Sequence, residues 1–333
     1  MNFKKKIFSV SSKIDFDNLT WDIFHYQIKN NKIYKNYLQS LEVDPFEIKN
    51  ISDIPFLPIS FFKTNRIFST DITDSYDIVF TSSGTTGIKS KHYIKNLNIY
   101  IDSIRNSFEF FYGSIEKFKF LGFFPKEKEK ENSSLIYMVK YFIQKTYKNG
   151  SHFVPYTSDK YKEVHFLHNQ NNKNIIIFGL SFFLLDFIEK NNHLKQNKCP
   201  KKIIIMETGG MKGKRKEIIR EELHGILKKF FCVNEIHSEY GMTELLSQAY
   251  AKKNGIFQCP PWMKIYIRDP EDPFIHVNNN KIGGINIIDL SNYLSCPFIS
   301  TEDLGRKIND NEFEVLGRMN FSDIRGCNLM FPF

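Results

Sequence analysis

Cysteine is scarce in this chain of 333 residues, which contains five. The cysteines are widely spaced, and no two of them form a Cys-x-x-Cys pair; they are Cys199, Cys232, Cys259, Cys296 and Cys327. An odd, scattered set argues against a disulfide framework and against a cysteine-rich zinc site. The cysteine content therefore favours a protein of a reducing compartment.

Long apolar runs are missing as well. No stretch of the sequence approaches the roughly 20 consecutive apolar residues that a membrane-spanning helix needs. The first residues, from Met1 to Lys6, are basic but are not followed by an apolar stretch of signal-peptide length. We therefore expect a cytoplasmic protein without an integral membrane segment.

Nucleic-acid-binding motifs are also absent from the sequence, although the formal net charge is +9. The lysines are spread along the whole chain between aspartates and glutamates and are not gathered into one basic patch. A basic field of this kind suits a small, negatively charged substrate, and no nucleic-acid partner is expected. With 41% hydrophobic and 25% charged residues, the composition is that of a globular protein.

Apolar periodicity divides the chain into three parts. Helical spacing of apolar residues predicts an N-terminal helical segment over 1–52. Up to about residue 250, short apolar runs alternate with helical patterns, which is typical of parallel sheets flanked by helices. From about 260 to 318, short strands and turns predict a smaller, mostly antiparallel subdomain. The predicted fold class is therefore α/β.

The same patterns predict individual elements. The residues 56–63 are expected to be extended, and a charged helix is expected from about Lys214 to Phe230. Asn96 and Ser181 each precede a helical pattern, so both are expected to cap helices.

A loop of hydroxyl residues and glycines follows the apolar run 76–80 and has the sequence Thr81-Ser82-Ser83-Gly84-Thr85-Thr86-Gly87. Glycine permits tight turns that aim several backbone N–H groups at one anion. Lys89 and Lys91 follow the loop and add positive charge. The stretch is not a P-loop, because Ile88 separates Gly87 from Lys89. It predicts a phosphate cradle, although a polar surface turn has the same composition.

Two further polar segments follow apolar runs, and ligands of parallel sheets bind at such carboxyl ends of strands. The segments are Glu207-Thr208-Gly209-Gly210 and Ser238-Glu239-Tyr240-Gly241-Met242-Thr243-Glu244. Thr243 and Glu244 place a hydroxyl and a carboxylate on one loop, which suits Mg²⁺ bound through phosphates. The same pair would also fit the first turn of a helix. Nearer the C-terminus, Asp303 could accept hydrogen bonds from ribose hydroxyls or belong to an ordinary turn.

The order of these motifs resembles that of the adenylate-forming superfamily, which includes acyl-CoA synthetases, adenylation domains and luciferases. The motifs are the Ser/Thr/Gly loop, Gly209-Gly210, the Tyr240–Glu244 segment, Thr301-Glu302-Asp303-Leu304-Gly305-Arg306 and Gly317-Arg318. Several stretches are most similar to the long-chain fatty-acid–protein ligases, the acyl-protein synthetases of bioluminescent fatty-acid reductase complexes. These stretches are Phe124-Pro125 with Asn132–Leu135, Met206–Gly213, the Tyr240 loop and Arg325–Asn328. The phenylacetate-CoA ligase branch is the next most similar.

The resemblance implies the large-domain fold of adenylate-forming enzymes over 53–330, with ATP and Mg²⁺ as cofactors. It implies that Glu244 is a metal ligand and that Thr243, Glu244 and Cys327 take part in catalysis. It also implies a set of nucleotide-binding positions, which are Ser82, Ser83, Gly84, Thr85, Thr86, Gly87, Gly209, Gly210, Tyr240, Gly241, Asp303 and Arg318.

Two departures from the superfamily pattern bear on the site. Typical members continue the loop with Pro-Lys, where this chain has Lys89 and Ser90, so it stays open whether Lys89 or Lys91 meets phosphate. Typical members also have Gly-Arg-x-Asp before a mobile lid that carries a catalytic lysine. Here Asn320 stands in place of that aspartate and the sequence ends at Phe333, so we expect the C-terminal lid domain to be absent.

The activity that the resemblance implies is ATP-dependent activation of a carboxylic acid, expected to be a long-chain fatty acid, as an acyl-adenylate. The acyl group would then pass to a cysteine thiol, for which Cys327 has the matching position. Arg325 nearby would favour the thiolate, whereas a buried, inert cysteine is the other interpretation. An acyl reductase is the expected partner protein. Two alternatives stay open: a CoA ligase for an aryl or other small acid, and a non-catalytic truncated subunit of a reductase complex.

Overall fold

The computed structural model of the protein describes residues 3–69, 75–83, 87–125, 132–154, 174–191, 203–211 and 214–319. The helices in these ranges are α1 (Phe3–Ile7), α2 (Lys13–Asn30), α3 (Lys32–Ser40), α4 (Phe61–Thr64), α5 (Leu97–Tyr112), α6 (Ser134–Lys145), α7 (Ser181–Lys190) and α8 (Arg220–Phe231). The strands are β1 (Leu57–Pro58), β2 (Ile78–Thr81), β3 (Lys91–Ile94), β4 (Phe118–Phe123), β5 (His152–Phe153), β6 (Asn174–Leu180), β7 (Ile203–Thr208), β8 (Ile236–Tyr240), β9 (Ala249–Ala251), β10 (Ile256–Gln258), β11 (Met263–Arg268), β12 (Ile282–Asp289), β13 (Phe298–Lys307) and β14 (Glu312–Arg318).

Within the described residues, twelve of these strands form one continuous sheet. Its order is β11-β12-β13-β14-β10-β9-β8-β7-β6-β4-β5, and β1 pairs with β13. The pairings from β5 to β8 are parallel. Those from β8 to β11 are antiparallel. The predicted α/β fold is confirmed, and the antiparallel strands prolong the parallel sheet.

The parallel half has its own hydrophobic core. Strands β6 and β7 are nearly continuous apolar runs, as expected for strands whose two faces are both covered by helices. Phe108 of α5, Phe120 of β4 and Phe142 of α6 meet in this core, with ring centroids 5.2–5.4 Å apart. Burial of these aromatic side chains fixes α5 and α6 against the sheet.

A second core joins the N-terminal helices to the antiparallel half. The rings of Phe24 and Tyr34 each lie 5.8 Å from that of Phe298 on β13. Asn31, between α2 and α3, donates a hydrogen bond to the carbonyl oxygen of Ser295 at 2.9 Å. The helical segment predicted over 1–52 therefore packs into the same core as the antiparallel strands.

Strands β2 and β3 form a separate two-stranded antiparallel sheet. This hairpin carries the hydroxyl-rich loop at its tip. Phe80 of β2 packs against Tyr100 of α5 and Tyr137 of α6, with ring centroids 4.9 and 5.7 Å apart. Because no β-ladder joins the hairpin to the large sheet in the described residues, side-chain and loop contacts set its position.

The local predictions had mixed outcomes. Asn96 caps α5 as predicted, since its side chain accepts a hydrogen bond from the N–H of Asn98. The extended segment predicted over 56–63 is wrong, because the chain turns after β1 and forms α4. The charged helix begins at Arg220 and not at about Lys214. Ser181 does not cap α7, because its hydroxyl donates to the buried carboxylate of Glu207 instead.

Two findings concern the features that the sequence has little of. Among the described cysteines, Cys259 and Cys296 are free thiols, whereas Cys232 is disulfide-bonded, which the cysteine spacing did not predict. In the described ranges, none of the helices has the length and apolar character needed to cross a membrane.

Candidate active site

Ser82 closes the base of the hydroxyl-rich loop. Its Oγ accepts a hydrogen bond from the backbone N–H of Ser90 at 3.0 Å, and its own N–H donates to the carbonyl oxygen of Ser90 at 3.0 Å. Gly87 is exposed and has φ of 86°, a left-handed conformation that favours glycine. Ser83 is half-buried. The predicted phosphate-binding residues Gly84, Thr85 and Thr86 lie outside the described residues.

Ser90 faces the interior, whereas the lysines on either side of it are exposed. Ser90 is 4% exposed, and Lys89 and Lys91 both point to solvent. The alternation continues into β3, where His92 and Ile94 are buried, as the two-residue period of a strand requires. The Ser90 hydroxyl hydrogen-bonds to the carboxylate of Glu244. The sequence left a choice between two lysines, and the serine between them makes the inward contact.

Glu244 is a buried carboxylate with few compensating partners. It is 4% exposed. Burial raises its pKa above the usual range, although the Ser90 hydroxyl and the charge of Arg318 act in the opposite direction. Thr243 and Glu244 lie in a turn and not in the first turn of a helix. The carboxylate is therefore held in a poorly solvated position where a cation would stabilise its ionised form.

Asp303 and Arg318 face each other across the β13–β14 ladder. Arg318 Nε lies 3.5 Å from Asp303 Oδ1, and the Tyr240 hydroxyl donates to Asp303 Oδ2 at 2.8 Å. Burial raises the pKa of Asp303, while Tyr240 and Arg318 lower it by less. The Arg318 side chain is 77% exposed, which leaves its guanidinium accessible to an anionic ligand.

Tyr240 is oriented by both of its ends. Its ring packs against Phe257 and Phe313, with ring centroids 5.9 Å away in each case. Burial, together with the charge of Asp303, raises the pKa of the phenol, so Tyr240 donates its hydrogen bond as a neutral group. The hydroxyl reaches Asp303, and the residue as a whole is 9% exposed.

The Gly209–Gly210 pair follows β7 and is exposed. The two residues have φ of 78° and 58°, and an added Cβ at Gly210 would meet nothing within 4 Å. The backbone conformation, and not lack of space, therefore favours glycine at Gly210. Gly241 differs, because a Cβ there would lie 2.5 Å from Oε1 of Glu239.

Two buried glutamates precede these loops, and neither is among the site residues predicted from the sequence. Ser181 Oγ donates to Glu207 Oε2 at 2.6 Å, and Thr208 Oγ1 donates to Glu239 Oε2 at 2.6 Å. Burial by itself would raise the pKa of Glu207, but interactions with His224 and Ser181 outweigh it, so this pKa is lowered. Both glutamates lie inside the motifs that the sequence pointed to, which was the available signal.

The donor set fits Mg²⁺ that is bound together with phosphate. Thr243 offers a hydroxyl and Glu244 a carboxylate, which are the hard oxygen ligands that this ion prefers. Mg²⁺ usually takes one or two protein carboxylates and completes its shell with water and substrate phosphates. No group of three or more histidine, cysteine or acidic side chains able to hold a metal occurs in the described residues. The residues therefore fit a metal ion that takes some of its ligands from the protein and the others from a nucleotide and water.

Solved structures with a similar fold are adenylate-forming enzymes. ATP-bound MatB from Rhodopseudomonas palustris matches with a TM-score of 0.52 and 14% identity, over 72% of this chain and 47% of MatB. A 2-hydroxyisobutyryl-CoA ligase with bound 2-HIB-AMP matches with a TM-score of 0.67 and 10% identity, over 92% of this chain and 67% of the ligase. The luciferase-like enzyme of the mealworm Zophobas morio matches with a TM-score of 0.52 and 16% identity, over 76% of this chain and 60% of that enzyme. The chain spans about half the length of MatB, and likeness at these identities shows the fold alone.

Sequence comparison gives the family. No curated protein matches the chain significantly. The family model described as acyl-protein synthetase, LuxE, matches residues 8–332, which is nearly the whole chain and includes each of the motifs described above. The resemblance drawn from the order of those motifs is thereby confirmed, and the chain belongs to the LuxE acyl-protein synthetase family.

Proposed function

We propose that the protein uses ATP to activate a carboxylic acid as an acyl-adenylate, with release of pyrophosphate. The observation that carries this proposal is the position of Glu244. Its carboxylate is bonded to Ser90 at the end of the hydroxyl-rich loop, and the charges of Arg318 and Asp303 act on it. Candidate groups for phosphate, metal and ribose thus lie close enough for their charges to act on one another, as a nucleotide site needs. Family membership and the nucleotide-bound neighbours support the same activity.

In the proposed reaction, the carboxylate of the acid attacks the α-phosphorus of ATP. The bond from that phosphorus to the bridging oxygen of the pyrophosphate leaving group then breaks. Backbone N–H groups of the loop from Ser82 to Gly87 and the exposed guanidinium of Arg318 would hold the phosphates. Glu244, with Thr243 beside it, would hold Mg²⁺, which offsets phosphate charge when bound. Positioning and charge stabilisation would supply the rate acceleration.

The nucleoside would lie between two other groups of residues. Asp303, fixed by Tyr240, would accept hydrogen bonds from the ribose hydroxyls. The exposed Gly209–Gly210 turn would lie against the adenine, where the absence of side chains permits close approach. Gly241 would leave room beside Tyr240 for the same purpose.

The proposed acid is a long-chain fatty acid, and the proposed acceptor is a cysteine thiol of this protein. The family description, acyl-protein synthetase, supports both. Cys327 is our candidate acceptor, on sequence position alone, since it lies outside the described residues. An acyl reductase would then take the acyl group from the thioester.

Pyrophosphate release, measured with ATP, Mg²⁺ and a panel of carboxylic acids, tests the activity. We expect release that depends on the acid and is fastest with long-chain fatty acids. Absence of release with every acid would contradict the proposal and favour a non-catalytic subunit. A soluble thioester formed on addition of coenzyme A would favour the CoA ligase alternative.

Acyl labelling tests the acceptor. The Cys327→Ser protein is expected to release pyrophosphate but to retain no hydroxylamine-sensitive acyl label, because its thiol is gone. Cys296→Ser is the matched control and should label normally, since burial raises the pKa of this thiol and keeps it unreactive. Normal labelling of Cys327→Ser would place the acceptor elsewhere.

A further inference from the structure

The two peptide carbonyls of Thr243 and Glu244 are both held by side chains from other elements. His92 of β3 donates from Nδ1 to the Thr243 carbonyl oxygen at 2.8 Å. Asn292, between β12 and β13, donates from Nδ2 to the Glu244 carbonyl oxygen at 2.8 Å and to that of Cys296 at 3.0 Å. The turn that presents the candidate metal ligand is thus clamped from two directions.

The hydrogen-bond chemistry of the clamp fixes which atoms carry protons. A carbonyl oxygen only accepts, so the proton of His92 must be on Nδ1. Burial lowers the pKa of His92 to about 4, although the Thr243 carbonyl and the Asn292 side chain act in the opposite direction. Within the described residues, the buried atoms Nε2 of His92 and Oδ1 of Asn292 make no hydrogen bond of normal geometry, although the two side chains interact with each other.

Burying polar atoms of His92 and Asn292 without hydrogen bonds of good geometry is costly, and packing alone does not explain it. A leucine or a phenylalanine would fill the His92 site without leaving such atoms. The arrangement is explained if His92 and Asn292 are needed for the two hydrogen bonds that they donate to Thr243 and Glu244. Asn292 cannot be turned around to pair its Oδ1, because Nδ2 already faces two carbonyl oxygens.

The His92 contact also joins two parts of the site. The β2–β3 hairpin, which carries the hydroxyl-rich loop, is not part of the large sheet. His92 links this hairpin to the turn at Thr243, two residues after Ser90 makes its own contact with Glu244. The His92 ring is steadied by Phe62, with ring centroids 5.5 Å apart at an interplanar angle of 84°.

We propose that His92 and Asn292 are positioning residues that hold the Thr243–Glu244 turn, and the hairpin beside it, in the geometry that accepts Mg²⁺ together with ATP. This proposal rests on the proposed function, since it concerns the same nucleotide site. Neither residue touches ATP in it; both act through the peptide groups of the turn.

Two substitutions of His92 test the proposal. His92→Asn places a side-chain N–H close to the position of Nδ1, whereas His92→Leu removes the donor and keeps a similar volume. Calorimetry would give the affinity for ATP with and without Mg²⁺. We expect His92→Leu to lower the affinity for ATP with Mg²⁺ about tenfold or more, and His92→Asn to stay within about threefold of the parent, as for residues that orient a metal ligand. Affinity for ATP without Mg²⁺ should change little in either.

The outcomes separate the proposal from its foundation. If the parent protein binds ATP without any dependence on Mg²⁺, the proposed function fails. If the parent shows that dependence and His92→Leu keeps the same ratio of affinities, only the positioning proposal fails. A purely structural role would lower the melting temperature of both variants and leave the ratio unchanged.

A measurement on the parent protein covers the case in which His92→Leu does not fold. In NMR spectra of protein with ¹⁵N-labelled histidine, the His92 ring should be the Nδ1–H tautomer, and that signal should shift when ATP and Mg²⁺ are added together. A proton on Nε2, or a signal that ignores ATP with Mg²⁺ while the protein binds them, would overturn the proposal.

Discussion

Two buried carboxylates lie in or beside the segment 244–247, and their surroundings differ sharply. Asp289 is 0% exposed and accepts hydrogen bonds from the backbone N–H groups of Leu246, Ser247 and Ser291 and from the hydroxyls of Ser247 and Ser291. Glu244 is 4% exposed and is bonded by the hydroxyl of Ser90. Asp289 is surrounded by donors, whereas Glu244 is not.

The difference indicates what each carboxylate does. Five donors compensate the lost hydration of Asp289, so it can act as a scaffold for the segment without any ligand. Burial raises the pKa of Glu244, which shows that its surroundings favour the neutral form. A carboxylate in that condition gains more from a bound cation than a saturated one does. The comparison therefore supports a structural role for Asp289 and the proposed metal-binding role for Glu244.

The largest expected effect comes from Asp289→Asn. The substitution keeps the shape but turns one acceptor into a donor that faces other donors. We expect a loss of about 3 kcal/mol or more in the free energy of unfolding, because several buried donors lose a charged partner. Urea unfolding measures this loss. Ser291→Ala, which removes one of the hydroxyls, is the control and should cost about 1 kcal/mol. An unchanged urea midpoint for Asp289→Asn would show that the donor cluster is not the scaffold.

Glu244→Gln should behave in the opposite way. We expect pyrophosphate release to fall about 100-fold or more, since the charge that would hold Mg²⁺ is lost. The free energy of unfolding should stay the same or rise, because an uncharged amide replaces a carboxylate that burial disfavours. Normal turnover with a normal response to Mg²⁺ would make Glu244 a structural residue.

The pH dependence of this pair of proteins follows from the raised pKa of Glu244. A carboxyl whose pKa is higher in the folded than in the unfolded state lowers stability as the pH rises between those two values. Glu244→Gln lacks this loss of stability, because its side chain does not ionise. Its stability relative to the parent should therefore increase from acidic toward neutral pH, and the two should converge below the unfolded-state pKa. Urea midpoints measured across that range, without nucleotide, check the sign.

The sequence predicted the fold class, and it indicated the polar segments that make up the candidate site, because both depend on patterns. Continuous apolar runs predicted the parallel strands, and the polar segments predicted the loops that follow Thr208 and Tyr240. The contacts of Ser90 were not predicted, although the alternation through Lys89, Ser90, Lys91 and His92 was visible. That alternation has meaning only once the segment is known to enter a strand with one buried face.

The contrast between Asp289 and Glu244 could not be predicted, because their partners are far apart in sequence. Ser90 lies more than a hundred residues before Glu244, and Asp289 lies 42 and 43 residues after the amides that it accepts. Ser181 was predicted to cap a helix but binds Glu207, and this contact could not be predicted for the same reason. Local propensity identifies a capping residue, but it contains no information about a buried carboxylate on a neighbouring strand.

Tyr240→Phe should have an intermediate effect on ATP affinity, since it removes a hydrogen bond from Asp303, a carboxylate that lies close to Glu244. Loss of the 2.8 Å hydrogen bond leaves Asp303 with Arg318 alone and raises the Asp303 pKa further. We expect a roughly tenfold weaker affinity for ATP, the usual size for a lost hydrogen bond to a charged group. Phe257→Leu is a control that alters the packing of the Tyr240 ring but keeps the hydroxyl. A Tyr240→Phe protein with unchanged ATP affinity would remove Asp303 from the nucleotide site.

The smallest effects should come from the lysines beside Ser90. Lys89 and Lys91 are exposed, so salt screens their attraction for phosphate, and we expect each alanine substitution to raise the KM for ATP by about threefold or less at physiological ionic strength. Lowering the salt should enlarge that effect. Ser90→Ala lies on the opposite face of the same segment and removes the hydroxyl bonded to Glu244, so it should weaken the response to Mg²⁺ more strongly and with little dependence on salt. A lysine substitution that impairs the use of ATP with Mg²⁺ more than Ser90→Ala does would mean that phosphate is held from the exposed face. The hydroxyl of Ser90 would then only fill space beside Glu244.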